Sequence, residues 1–269
     1  MSLVETDWLE NNKDKVKIID CSWHMPQTKR NGFEEYKTQH IPESIFFDLD
    51  DNSDKNTNLP HMLVNKNEWE KIVSKMGIKN EDMIIIYDNS DVISSCRCWF
   101  NFIYYGHDPK LVHVLNGGLK KWLEEKRKVT NDLSKVMKSD YKSFENQELV
   151  KNKDSINQNI VTQNFRVVDA RSKERFEGKI PEPREGLKSG SIKNSVCIPF
   201  ASCLNQDRTF RNKQELEKIF QSSLKNLNDK NIVFSCGSGV TACVLALAYS
   251  LINDKSVSYT HLTLPTKRI

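Results

Sequence analysis

The stretch NIVFSCGSGVTACVLALAYSL, residues 231–251, carries the strongest chemical signal in the chain. A short β-branched run leads into Cys236, Gly237 and Gly239 permit a tight turn, and from Val240 onward the spacing is helical. That order places Cys236 at the carboxyl edge of a parallel sheet, where open α/β sheets bind their ligands. The backbone N–H groups of Gly237, Ser238, Gly239, Val240 and Thr241 can converge there on one atom, and the positive end of the following helix adds to them. Such surroundings lower a thiol pKa, so the sequence predicts an exposed thiolate at Cys236. Cysteines 21, 96, 98, 197, 203 and 243 read instead as small buried hydrophobes.

Elimination narrows the chemistry. A phosphate-clamping loop would place an arginine six residues after the cysteine, but that position is Ala242. No His lies near Cys236 in sequence to serve a cysteine hydrolase, which leaves a spatial partner open. No Lys-Ser/Thr follows the glycines as in a nucleotide loop. What remains is sulfur attacking sulfur.

The elements that position this turn recur. VKIID (16–20) and RVVD (166–169) are short strands closed by an acid, and each is followed by a polar stretch and an Ile-led apolar segment, HIPESIFFDLD (40–50) and SIKNSVCIPFAS (191–202). Helices are predicted at 67–76 and 213–224, and strands at 83–87 and 231–235. VHVLNGGLKKW (112–122) adds a strand, a Gly117-Gly118 turn and a helix to the first half. Alternating strands and helices predict parallel sheets covered on both faces. The expected organisation is a first α/β domain over 1–125, a polar linker over 126–160, a second domain over 161–255 and an atypical tail over 256–269.

Composition excludes other classes. The 269 residues are 38% apolar and 28% charged, and forty Lys+Arg against thirty-six Asp+Glu leave +4, without the dense basic patch of a nucleic-acid binder. The longest apolar stretch, 240–252, falls short of the ~20 residues of a membrane span. Seven cysteines without paired Cys-x-x-Cys spacing predict a reducing compartment, and neither a metal nor an organic cofactor is expected. MSLVETDWLENN has neither a signal core nor a transit composition, which predicts the cytoplasm.

Together, HIPESIFFDLD followed by LPHML, VLNGGLKKW, EPREGLKSGSI and CGSGVTAC resemble the tandem rhodanese superfamily, on its 3-mercaptopyruvate sulfurtransferase side, from about residue 8 to residue 252. The resemblance implies two rhodanese-like domains. It implies that Cys236 takes the sulfur of 3-mercaptopyruvate, releases pyruvate and passes the persulfide sulfur to thioredoxin, a small thiol or cyanide. It matches Arg175 and Arg184 to a carboxylate clamp, for which guanidinium forks are suited. It matches Ser238, Asp50 and His61 to a catalytic relay drawn from both halves, which would set the site between the domains. Thiosulfate-using members carry basic residues directly after the cysteine; the neutral Gly237 and Ser238 favour mercaptopyruvate. The other readings are a thiosulfate:cyanide sulfurtransferase and a non-catalytic rhodanese-like binding module. A mitochondrial form is left open beside the cytoplasmic one.

The first half has Tyr87-Asp88 where the second has Ser235-Cys236, so it is expected to be non-catalytic. Asp20, Asp169 and Arg171 read as fold-stabilising. The tail departs from the family: SYTHLTLPTKRI stands where a further strand and a Tyr-Asp-Gly-Ser-Trp type motif are expected. The second domain therefore looks truncated at its C-terminus, with an unpaired sheet edge whose cost is large beside a net stability of ~5–15 kcal/mol.

Overall fold

The computed structural model describes residues 2–183, 189–224, 231–253 and 260–262. Arg184, a predicted clamp residue, and most of the predicted tail lie outside the described residues. The chain divides into two compact units, Met1–Asn146 with Gln206–Thr209 and Gln147–Asn205 with Phe210–Ile269.

In the first unit the order is β1 (Leu3–Val4), α1 (Thr6–Glu10), β2 (Lys17–Asp20), α2 (Gly32–Thr38), β3 (Ser44–Phe46), α3 (Lys66–Lys75), β4 (Ile84–Tyr87), α4 (Ser95–Tyr104), β5 (Val112–Leu115) and α5 (Gly118–Glu124). The second unit runs α6 (Lys153–Thr162), β6 (Phe165–Asp169), α7 (Lys173–Phe176), β7 (Val196–Cys197), α8 (Lys213–Leu224), β8 (Asn231–Ser235), α9 (Thr241–Ser250) and β9 (Thr260–Leu262). The sheets have strand orders β1-β5-β4-β2-β3 and β7-β6-β8-β9, with parallel pairing throughout. β4 is buried at all four positions, as a strand covered on both faces must be. Helices α2, α3, α6 and α7 each start at an Asn or Ser whose side chain accepts a first-turn N–H, which fixes their entry points.

Four strands are duplicated in topology: β3-β2-β4-β5 and β7-β6-β8-β9 follow the same order, and β1 is an added edge strand of the first sheet. Registers coincide as well, with Asp20 opposite Tyr87 and Asp169 opposite Ser235. Asp88 and Cys236, the next residues, therefore leave equivalent points of the two sheets.

Two expectations are corrected. The edge of β8 is paired, because Val233, Phe234 and Ser235 are in register with Thr260, His261 and Leu262; three residues of extended backbone complete the ladder without a Gly turn. The segment read as a linker, 126–160, is structured. Up to Asn146 it belongs to the first unit, where Tyr141 stacks on His107 and the Ser139 N–H donates to the Ser74 carbonyl at 2.9 Å, and α6 belongs to the second unit, where Ile156 is buried. A few anchoring side chains hold a segment whose mean composition is polar.

The strand-closing acids are buried in both units but differ in partner. Asp20 accepts from the Ser22 N–H and hydroxyl, whereas Asp169 faces Arg171 two residues on. Burial raises the Asp20 carboxyl to about 7, against the lowering effect of the Ser22 hydrogen bonds. An acid whose folded pKa is raised disfavours the fold as pH climbs from the unfolded value of ~3.9 to the folded one. We expect Asp20→Asn to flatten this dependence. The stability of wild type relative to the variant falls by about 1 kcal/mol per pH unit between pH ~4 and ~7, read from denaturant melts of both; a difference independent of pH would refute it.

Candidate active site

The turn after β8 is clamped between two buried elements. Phe234 and Ser235 are buried, and α9 is buried from Ala242 to Tyr249, so neither end of the loop is free to splay. Gly239 takes φ 80°, a conformation that favours glycine, and its N–H donates to Cys236 Sγ at 3.1 Å. Its carbonyl accepts from the Cys243 thiol at 3.1 Å, so the Gly239 backbone is anchored through both its N–H and its C=O. The predicted exposure of Cys236 is corrected: the residue is only 5% exposed, because the turn folds back over the sulfur. Ser238 and Val240 are buried in the same turn, and Thr241 opens α9.

A guanidinium stands over this turn. Arg175, in α7, has Nη2 only 3.2 Å from where a Cβ on Gly237 would lie, so the absence of a side chain at Gly237 admits the approach. Arg175 is held in turn by Glu182, through Nη2 to Oε2 at 2.5 Å and Nε to Oε1 at 3.3 Å. Glu182 Oε1 also accepts from Arg171 Nη1 at 2.7 Å, and Arg171 Nη2 and Nε bind the Asp169 carboxylate at 2.6 and 3.0 Å. Arg171 is thus a structural ion-pair residue, as its sequence position suggested. Burial alone would raise the Glu182 carboxyl; the two guanidiniums, Arg175 foremost, outweigh it and hold the group below the ordinary glutamate range. Glu182 stands inside the EPREG stretch and was not expected at the site; the sequence places it between Arg175 and Arg184, and its burial is set by the fold.

The first unit brings together Asp50 and His61, eleven residues apart, with Asp50 Oδ1 2.9 Å from His61 Nε2. Two partners were not foreseen. Trp23 Nε1 donates to Asp50 Oδ2 at 2.8 Å and its ring meets His61 edge-on, while Arg97 Nη2 donates to the His61 carbonyl at 2.5 Å. The His61 hydrogen bond holds the Asp50 carboxyl below its usual range.

At the point equivalent to Cys236, the Asp88 carboxylate accepts from the Ser90 N–H at 2.7 Å and the Ser95 N–H at 3.0 Å. A fixed carboxylate fills the place where the second unit has a sulfur, and it offers no sulfur nucleophile. Among the described residues no cluster of His, Cys, Asp and Glu could hold a metal, and no helix is long and apolar enough to cross a membrane.

Two duplicated parallel α/β units, one with a cysteine in a glycine turn after its central strand and the other with an aspartate at the equivalent point, define a tandem α/β protein. The chain belongs to the rhodanese family of sulfurtransferases: the model of the rhodanese-like domain matches residues 5–125 and 147–261. It is 38% identical over 278 residues to thiosulfate/3-mercaptopyruvate sulfurtransferase 1, mitochondrial, of Arabidopsis thaliana, covering 95% of this chain and 73% of the relative. Against human 3-mercaptopyruvate sulfurtransferase the identity is 33%, over 90% of this chain and 81% of the relative. Among solved structures, the 3-mercaptopyruvate sulfotransferase SseA of Escherichia coli superposes with a TM-score of 0.86 at 28% identity, covering 96% of each chain.

Proposed function

We propose that this protein transfers the sulfur of 3-mercaptopyruvate to a thiol acceptor through a persulfide on Cys236. The observation that carries the reading is the Gly239 N–H donated to Cys236 Sγ at 3.1 Å in a turn faced by the Arg175 guanidinium. The Cys236 thiolate attacks the thiol sulfur of the donor. The S–S bond forms as the C–S bond breaks, the electron pair passes to carbon as the pyruvate enolate, and the donor's thiol proton ends on that carbon. The sulfur is oxidised to the persulfide level and the carbon is reduced. An acceptor thiol then attacks the outer sulfur, leaving as its own persulfide and regenerating the Cys236 thiolate.

In this reading Arg175 and Arg184 receive the keto-acid carboxylate, and Gly237, Gly239, Val240 and Thr241 supply amides to the sulfur. Ser238, Asp50 and His61 move the proton. Thioredoxin, small thiols and cyanide are the acceptors. A second reading, with thiosulfate as donor, is favoured by the Arabidopsis relative, whose name carries both donors.

Initial rates on the two donors test the choice. We expect kcat/KM for 3-mercaptopyruvate to exceed that for thiosulfate at least ~10-fold, a donor difference of about 1.4 kcal/mol in transition-state stabilisation. A preference for thiosulfate would overturn the mercaptopyruvate reading, and turnover of neither donor would leave a binding module.

A further inference from the structure

We propose that Glu182 is a positioning residue that sets which anion the cysteine turn accepts; the proposal rests on the sulfurtransferase reading above. The Glu182 side chain is 1% exposed, and its two oxygens are shared between two arginines. With Asp169 and Arg171 it closes a chain of four charges, Asp169, Arg171, Glu182 and Arg175, whose sum is zero. Arg175, whose side chain is 20% exposed, is the member of that chain whose guanidinium stands against Gly237.

Two consequences follow from the geometry. Glu182 grips Arg175 side-on, through Nε and Nη2, which leaves the end-on Nη1–Nη2 edge to receive an incoming carboxylate. Glu182 also cancels the charge of the guanidinium it aims. A monoanion that needs one well-placed fork is served by this arrangement. A dianion, whose attraction scales with net positive charge more than with fork geometry, gains little. Selectivity for a singly charged donor is thus built behind the turn, and not only into the neutral residues within it.

Glu182→Gln tests the proposal, because it keeps the shape and removes the charge. We expect the ratio of kcat/KM for 3-mercaptopyruvate to that for thiosulfate to fall about tenfold. KM should rise for mercaptopyruvate and fall for thiosulfate, with each kcat changed less than about threefold. A merely structural role would weaken both donors alike. A readout that needs no turnover accompanies it: protection of Cys236 from iodoacetamide by pyruvate, a monoanion, and by sulfate, a dianion, should shift toward sulfate in the variant. Glu182→Asp keeps the charge and should keep both ratios within about twofold of wild type. It also carries the test if the Gln variant does not fold.

An unchanged ratio in Glu182→Gln, an equal loss with both donors, or a shifted ratio in Glu182→Asp would overturn the proposal. Wild-type protein that turns over neither donor while the protection ratio still shifts would sink the sulfurtransferase reading and leave the role of Glu182 standing.

Discussion

Cys236→Ser should abolish sulfur transfer with either donor, lowering turnover by at least about four orders of magnitude, because in the proposed reaction the transferred atom is carried on the Cys236 sulfur. Wild-type protein incubated with donor should gain about 32 Da on the peptide holding Cys236, and the variant should gain nothing there. The loss would be chemical and not structural. The two side chains have nearly the same size, and a serine oxygen can accept the Gly239 N–H that Sγ accepts at 3.1 Å. The melting temperature should therefore stay within about 2 °C of wild type. Persulfide on another cysteine, or residual turnover within a hundredfold of wild type, would remove Cys236 from the centre of the reaction. The six other cysteines provide the internal control: Cys21, Cys96, Cys98, Cys203 and Cys243 are buried, and Cys197 is half-buried with its thiol pushed up to about 11 by burial and by Asp169.

The second large effect is on stability. The Arg171 side chain is 1% exposed, and its guanidinium binds Asp169, Glu182 and the Gly190 carbonyl, the last at 2.8 Å. Arg171→Met fills the space but strands the buried Asp169 carboxylate and takes from the buried Glu182 one of its two guanidiniums, leaving it Arg175. Removing one partner from a buried ion pair costs about 3–5 kcal/mol, a large share of the ~5–15 kcal/mol that holds a domain together. We expect the melting transition of the second unit to fall by more than ~10 °C while that of the first is unmoved. The pH dependence carries a sign. Glu182 is held below the ordinary glutamate range, so its contribution is present above the unfolded value of ~4.3 and is lost as pH falls through the lower folded one. The deficit of Arg171→Met should accordingly shrink on acidification below that value. A melting temperature within about 2 °C of wild type at pH 7 would show that the pair is dispensable.

The repeated strand, turn and helix, the parallel sheets they form and the place of Cys236 at the end of a strand were legible in the amino-acid sequence, because hydrophobic period and glycine placement act over a few residues. The observed strand at Asn231–Ser235 and the helix at Lys213–Leu224 coincide with their predicted ranges. The linker expectation failed because composition averages over a segment, whereas burial of Tyr141 or Ile156 depends on single side chains finding a hydrophobic surface. The paired edge at β9 escaped for a related reason: a ladder needs a neighbouring strand's free N–H and C=O groups more than it needs a particular side-chain pattern.

By itself, then, the sequence determined that two parallel sheets would form and that one of them would deliver a cysteine into a glycine turn. Only the tertiary structure decided what the charges beside that turn are worth. Whether Arg175 confronts the turn as a bare cation or as half of a neutral pair depends on Glu182 folding back to 2.5 Å from it, and whether His61 is a surface imidazole or the partner of Asp50 and Trp23 depends on two loops meeting. Coulomb and hydrogen-bond energies fall off over a few ångströms of space, and separation along the chain does not report that distance.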